Sequence, residues 1–186
     1  MSLFTSSREK RLWFWTLAVV VAIFAILFIG RPLANQLRDQ NVQAIFFAIA
    51  MLLVGAAMLV YGLRTKPGKT EVTILLGIIA VYTLFIFRLG APERSHLIEY
   101  SVLTIFVHQA LMERSANGKP VLFPALLAFL LTFLVGVLDE LIQLILPNRV
   151  FDMEDILFNG LAATMAIGSK VVLTWVRKRM HTKTIE

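Results

Sequence analysis

Asp139-Glu140-Leu141-Ile142-Gln143-Leu144-Ile145-Leu146-Pro147-Asn148-Arg149-Val150-Phe151-Asp152-Met153-Glu154-Asp155-Ile156-Leu157-Phe158-Asn159-Gly160 joins two long apolar runs. Acids, amides and an arginine stand where the flanking sequence is otherwise hydrophobic. Ionisable groups inside membrane segments are costly, and those that persist usually serve a function. A second polar knot, His96-Leu97-Ile98-Glu99-Tyr100, opens an earlier apolar run. The placement of these two stretches decides both the fold and the candidate site.

The surrounding chain reads as a membrane protein. It has 186 residues, 58% of them hydrophobic, against about 45–50% in ordinary soluble domains. Several stretches reach the roughly 18 nearly uncharged residues that a spanning helix needs. The expected fold class is all-α, a polytopic transmembrane bundle of about six spans, near residues 12–30, 42–63, 70–87, 96–112, 121–146 and 154–176. Breaker-rich connections separate them, including Lys66-Pro67-Gly68-Lys69, Asn117-Gly118-Lys119-Pro120 and Pro147-Asn148-Arg149. Thr70 is a candidate N-cap for the third span, with Glu71 favourable in its first turn. The fourth span is the shortest and most polar. Leu12 to Gly30 is too long for a signal-peptide core and is read as a retained helix. The chain divides into a short N-terminus (1–11), three accessory helices (12–90), a three-helix domain carrying the polar residues (91–176) and a basic tail (177–186). No cysteine is present, which excludes disulfides, iron–sulfur clusters and cysteine zinc sites.

Charge sets the expected orientation. With six spans both termini share a side. That side carries Arg8, Lys10, Arg11, Arg64, Lys66, Lys69, Arg114, Lys119, Arg177, Lys178, Arg179 and Lys183. The other carries Arg31, Arg38, Arg88, Arg94 and Arg149, with Lys170 inside the last span. The positive-inside rule puts both termini in the cytoplasm of a cell whose cytoplasmic (inner) membrane holds the chain. Trp13, Trp15 and Trp175 then fall near the cytoplasmic interface. The net charge of +6 fits orientation and contact with anionic lipid, and nucleic acid is not an expected partner.

This orientation gathers the polar residues. His96, Glu99 and Tyr100 begin the fourth span from the outer side. Asp139, Glu140 and Gln143 end the fifth, and Asp155 and Asn159 begin the sixth. Asp139 and Gln143 are four apart and Glu140 and Gln143 three apart, so all share a helix face. The expectation is a polar pocket opening outward between three helices, with Arg149 on its rim.

These residues resemble the VanZ-like family of bacterial membrane proteins. Its pattern has a basic residue before a histidine, a tyrosine four residues later, then Asp-Glu-x-x-Gln, Pro-Gly-Arg, and an Asp, Asn and Gly. Arg94, His96 and Tyr100 match the first block, with Glu99 a common choice before the tyrosine. Asp139, Glu140 and Gln143 complete the second. Pro147-Asn148-Arg149 has asparagine for the glycine, a residue that still tolerates positive φ. Asp155 and Asn159 match the last block, and Ala162 stands where a glycine is frequent. The resemblance covers residues 94–165. It implies a cell-envelope protein, and the family's name implies teicoplanin resistance without remodelling of the peptidoglycan terminus.

Two functions follow as expectations. In the first, the pocket binds an envelope lipid or glycan, a cell-wall precursor or an amphiphilic lipoglycopeptide. Glu99, Tyr100, Gln143, Arg149, Asp155 and Asn159 contact the ligand, with Arg149 on an anionic group. In the alternative, the protein is an intramembrane enzyme on an envelope lipid or glycan. Glu140 is then the acid or base, His96 its partner, and Asp139 or Asp155 the orienting group or a metal ligand, a set sufficient for general acid–base chemistry. No cofactor is identified and no metal is assigned. A divalent ion would draw on His96, Glu99, Asp139, Glu140 and Asp155, and a carboxylate-rich set favours hard ions over zinc. The bland readings stand beside these. Asn159 and Gln143 suit interhelical hydrogen bonds, Asp155 suits a helix cap, and His108 is read as structural.

Overall fold

A computed structural model describes residues 3–36, 67–88, 91–147 and 149–183. Among the described residues there are five helices and no strand. They are α1 (Ser7–Gln36), α2 (Lys69–Arg88), α3 (Ala91–Ala116), α4 (Pro124–Ile145) and α5 (Met153–Lys183). They correspond to the first, third, fourth, fifth and sixth expected spans. The second, 42–63, lies outside the described residues.

Local chemistry sets the helix ends. Pro124 opens α4 at a position where its missing N–H costs nothing. Leu146 closes that helix with extended backbone (φ −87°, ψ 126°), and its N–H donates to the Gln143 carbonyl. Pro147 follows. Asp152 caps α5, its Oδ1 accepting the Glu154 N–H at 2.8 Å. The capping role considered for Asp155 therefore belongs to Asp152, three residues earlier. At α2 the helix already includes Lys69, and Val72 N–H donates to the Gly68 carbonyl at 3.0 Å. Thr70 thus sits inside the first turn and is not the N-cap, because the helix starts two residues before the expected position.

The described helix that lacks a membrane-spanning apolar window packs against three others. α3 packs against α1, α4 and α5, while α2 lies against α5. Leu97, Tyr100, Leu103, Val107 and Leu111 run down α3 at helical spacing and meet Ile23, Ala128 and Ala162 of its neighbours. Four described segments are long and apolar enough to cross a membrane: Ser7–Phe28, Lys69–Arg88, Pro124–Ile145 and Met153–Arg179. α3 has the length, at 26 residues, but not the composition. Much of its surface meets other helices, which relaxes the demand for apolar side chains there, while Ile98, Val102, Ile105 and Met112 stay exposed.

α4 is apolar outside and small or polar inside. On α4 the buried residues are Ala128, Thr132, Gly136, Asp139, Glu140 and Gln143. Leu126, Leu130, Leu134, Leu138 and Leu141 of the same helix are exposed. Soluble monomers do not present such continuous apolar faces to water, whereas a bilayer accepts them. Small residues at the helix–helix contacts allow close approach. Ala162 and Ala166 are buried on α5, and the Ser101 hydroxyl of α3 reaches the Ala162 carbonyl at 3.3 Å.

Ion pairs define the ends of the bundle. Arg114, near the C-terminus of α3, donates to Glu9 of α1 at 2.9 Å. Arg177 of α5 donates to Glu71 of α2 at 2.7 Å. The N-termini of α1 and α2 therefore share a face with the C-termini of α3 and α5.

Candidate functional site

The opposite end of the bundle collects the acids and the histidine. Asp139 and Glu140 lie near the C-terminus of α4, 2% and 0% exposed. Tyr100 of α3, fully buried, donates its hydroxyl to Asp139 Oδ2 at 3.1 Å. One turn earlier, His96 stacks on the Tyr100 ring, with centroids 5.9 Å apart and planes 20° from parallel. His96 Nε2 stands 3.5 Å from Asp155 Oδ2 of α5, an ion-pair distance. The i,i+4 spacing of His96 and Tyr100 stacks the rings and aims both at the neighbouring helices.

Glu140 is held on both oxygens. Gln143 Nε2 donates to Oε1 at 2.7 Å, as their three-residue spacing allows. The Asp152 backbone N–H donates to Oε2 at 3.1 Å. Asp152 therefore caps α5 with its side chain and tethers Glu140 with its backbone. The sequence reading did not single it out. Its signal was an Asp two residues before the expected helix start, and one before the observed start at Met153, a favoured N-cap residue.

Not every expected residue faces the acids through a hydrogen bond. Asn159 is fully buried, but its amide atoms have no hydrogen-bond partner among the described residues. It packs against Gly136 of α4, one turn before Glu140. Glu99 is half-buried and close enough to Asp139 for their charges to repel. Arg149 Nε and Nη2 donate to the Leu27 carbonyl at 3.3 Å, and Nη2 also to the Ile26 carbonyl at 3.0 Å. The rim arginine thus fastens the α4–α5 connection to the backbone of α1. Asn148 and the side chains of Arg94 and His181 lie outside the described residues. His108 lies three turns from His96 along α3 and is separate from the cluster.

Among the described residues the cluster is largely enclosed, with one partly exposed edge. Its main carboxylates and tyrosine are buried, while His96 and Asp155 keep 12% and 15% of their side chains exposed at its edge. Ligand atoms of His96, Asp139 and Glu140 all lie within 4.8 Å of one another. Acid–base, cation-binding and hydrogen-bonding chemistry are all open to such a set.

Fold and site together define a multi-helix membrane protein with a buried His–carboxylate cluster shared by three helices. The VanZ/LLP1 family profile matches residues 12–174, and the chain belongs to that family. The match begins in α1, well before the motif-bearing helices. Neither the curated proteins nor the solved structures compared contain a detectable match.

Proposed function

We propose that the chain is a cell-envelope protein of the bacterial cytoplasmic membrane whose His–carboxylate end faces outward and binds an envelope lipid, glycan or lipoglycopeptide. The supporting observation is the convergence itself. Three helices bring His96, Tyr100, Asp139, Glu140, Gln143 and Asp155 to one end of an otherwise apolar bundle. Interhelical hydrogen bonds contribute only about 0.6 kcal/mol on average in membranes, a small return for enclosing several acids. A site that must meet a polar or charged headgroup accounts for them better than structural glue. The half-open edge at His96 and Asp155 would admit the headgroup, while the apolar flanks accommodate an acyl tail. Glycopeptide protection, teicoplanin above all, would follow if such a molecule competes with the drug or if the drug's own lipid tail docks there.

The six-span arrangement belongs to the same proposal. α1 and α2 begin on one face, as an intervening span requires, and that face carries Arg8, Lys10, Lys69, Arg114 and Arg177. Its basic character supports a cytoplasmic placement.

An enzymatic reading is favoured by one observation, the His96–Asp155 pair beside Glu140. A carboxylate behind an imidazole orients it for proton transfer. Mass spectrometry of envelope lipids discriminates the readings. Wild type and Glu140→Gln would be purified in mild detergent and their bound lipids compared. Binding alone predicts a lipid enriched at least tenfold on the wild type and unaltered in the cells. Catalysis predicts a new or missing lipid species in cells only when Glu140 is intact. Identical profiles for both proteins, on the protein and in the cell, would contradict the proposed role of Glu140.

A further inference from the structure

We infer that His96, Asp139 and Glu140 form a site for one hard divalent cation of the magnesium or manganese class. The inference rests on the reading of this cluster as a site and adds what it holds.

The donor set has the right size. Hard divalent ions of this class take oxygen ligands at about 2.0–2.1 Å in octahedral geometry, which separates donors by about 3 Å when adjacent and about 4.2 Å when opposite. Ligand atoms of the three residues lie within 4.8 Å of one another. Small side-chain movements would bring all three into one coordination sphere.

Two unused atoms provide an independent observation. Asp139 is 98% buried by its 2% exposure, and its Oδ1 has no hydrogen-bond partner among the described residues. The buried Nδ1 of His96 has none either. Buried polar atoms are rarely left unpaired. Here both belong to residues of the same three-member group. Their other polar atoms are engaged, Asp139 Oδ2 by the Tyr100 hydroxyl and His96 Nε2 by Asp155.

That division of labour is the arrangement of a metal ligand. A coordinating imidazole uses one nitrogen for the ion and turns the other to a carboxylate, which fixes the ring. Asp155 occupies that outer position and the stacked Tyr100 ring adds a second restraint. Glu140 is oriented by Gln143 and the Asp152 N–H, and each oxygen keeps a further lone pair for an ion. Two carboxylates and one imidazole, with no thiolate, select a harder ion than zinc fingers do.

A cation also resolves the charge problem of ligand binding. Glu99, Asp139, Glu140 and Asp155 would repel a phosphate or carboxylate headgroup. An ion bound by three of the cluster's residues would cancel the charge of its two carboxylate ligands and offer a headgroup oxygen a direct bond at its open coordination positions. The substrate class then narrows to anionic envelope lipids that complete the ion's coordination.

The test uses the full-length protein in detergent, stripped with chelator and titrated with Mn2+ alone under electron paramagnetic resonance. The expected result is one Mn2+ per chain, displaced by excess Mg2+ and weakened at least tenfold by both Asp139→Asn and Glu140→Gln. A nitrogen coupling in the pulsed spectrum should be present in wild type and absent in His96→Gln. Circular dichroism and gel filtration check the folding of each variant. The wild-type stoichiometry and nitrogen coupling stand without any variant. Absence of stoichiometric Mn2+ from the folded wild type, or a bound ion lacking nitrogen coupling, would overturn the assignment. Failure of lipid enrichment with intact Mn2+ binding would instead overturn the envelope-ligand reading alone.

Discussion

At Gly136 the polar knot meets the packing of the bundle. A Cβ built there would stand 2.8 Å from Asn159 Nδ2 and 2.9 Å from Asn159 Cβ. The amide could swing aside, but the Cβ is fixed to the α5 backbone. Gly136→Ala should therefore push α4 and α5 apart and destabilise the protein by about 1–3 kcal/mol, as overpacking generally does. Thermal unfolding in detergent reads this directly. Removing the amide with Asn159→Ala in the same chain should restore only part of the loss, since the Cβ remains. Full restoration would show that the side-chain tip, not the helix approach, sets the contact. Gly136, one turn before Glu140, is visible in the sequence as room for a close approach. The sequence could not show that Asn159 is the group received there, because that depends on the register of α4 against α5.

At the scale of elements, the connection between α4 and α5 works as a clasp. Arg149 donates to two carbonyls of α1, and Asp152 binds Glu140 through its backbone while capping α5. Arg149→Ala should cost about 1.5–3 kcal/mol, the range for hydrogen bonds involving a charged group. Arg149→Lys should recover part of it, because an ammonium lacks the planar fork that spans neighbouring carbonyls. Unfolding midpoints of the three proteins check the order. Wild-type stability in Arg149→Ala would remove the clasp from the account. The sequence placed Arg149 on the rim beside the acids, and its charge does act on Asp139. Its hydrogen-bond partners, however, are more than 120 residues upstream, on a helix without any motif. Backbone carbonyls leave no compositional trace, so such a contact is legible only in three dimensions. Helical spacing, in contrast, is local. The shared face of Asp139, Glu140 and Gln143 and the stacking of His96 on Tyr100 were both readable from residue numbers.

At the scale of the whole molecule, the apolar exterior and the polar end divide the labour. Exposed leucines on α4 meet lipid while the same helix turns Thr132, Gly136, Asp139, Glu140 and Gln143 inward. The membrane class was legible because composition reports it directly. The central position of α3 was not. The sequence marked it only as the shortest and most polar run, whereas the helix extends over Ala91–Ala116 and packs against α1, α4 and α5. Hydropathy records what a helix would meet in lipid, and α3 meets mostly protein. The far end is tied by Glu9 to Arg114 and by Glu71 to Arg177. These pairs were unforeseen because each joins residues more than 100 positions apart. They leave the two ends chemically distinct, one a set of basic ion pairs, the other a His–carboxylate cluster.

The claim that the cluster faces the envelope is tested most directly by single-cysteine labelling in intact cells, since the chain contains no cysteine of its own. Val150 is exposed beside the cluster and Ala116 is exposed at the opposite end of α3. Val150→Cys and Ala116→Cys would each be treated with a membrane-impermeant maleimide, before and after permeabilisation. The account predicts labelling at position 150 in intact cells and at 116 only after permeabilisation. Labelling at 116 with 150 protected until permeabilisation would turn the cluster to the cytoplasm and contradict the envelope assignment.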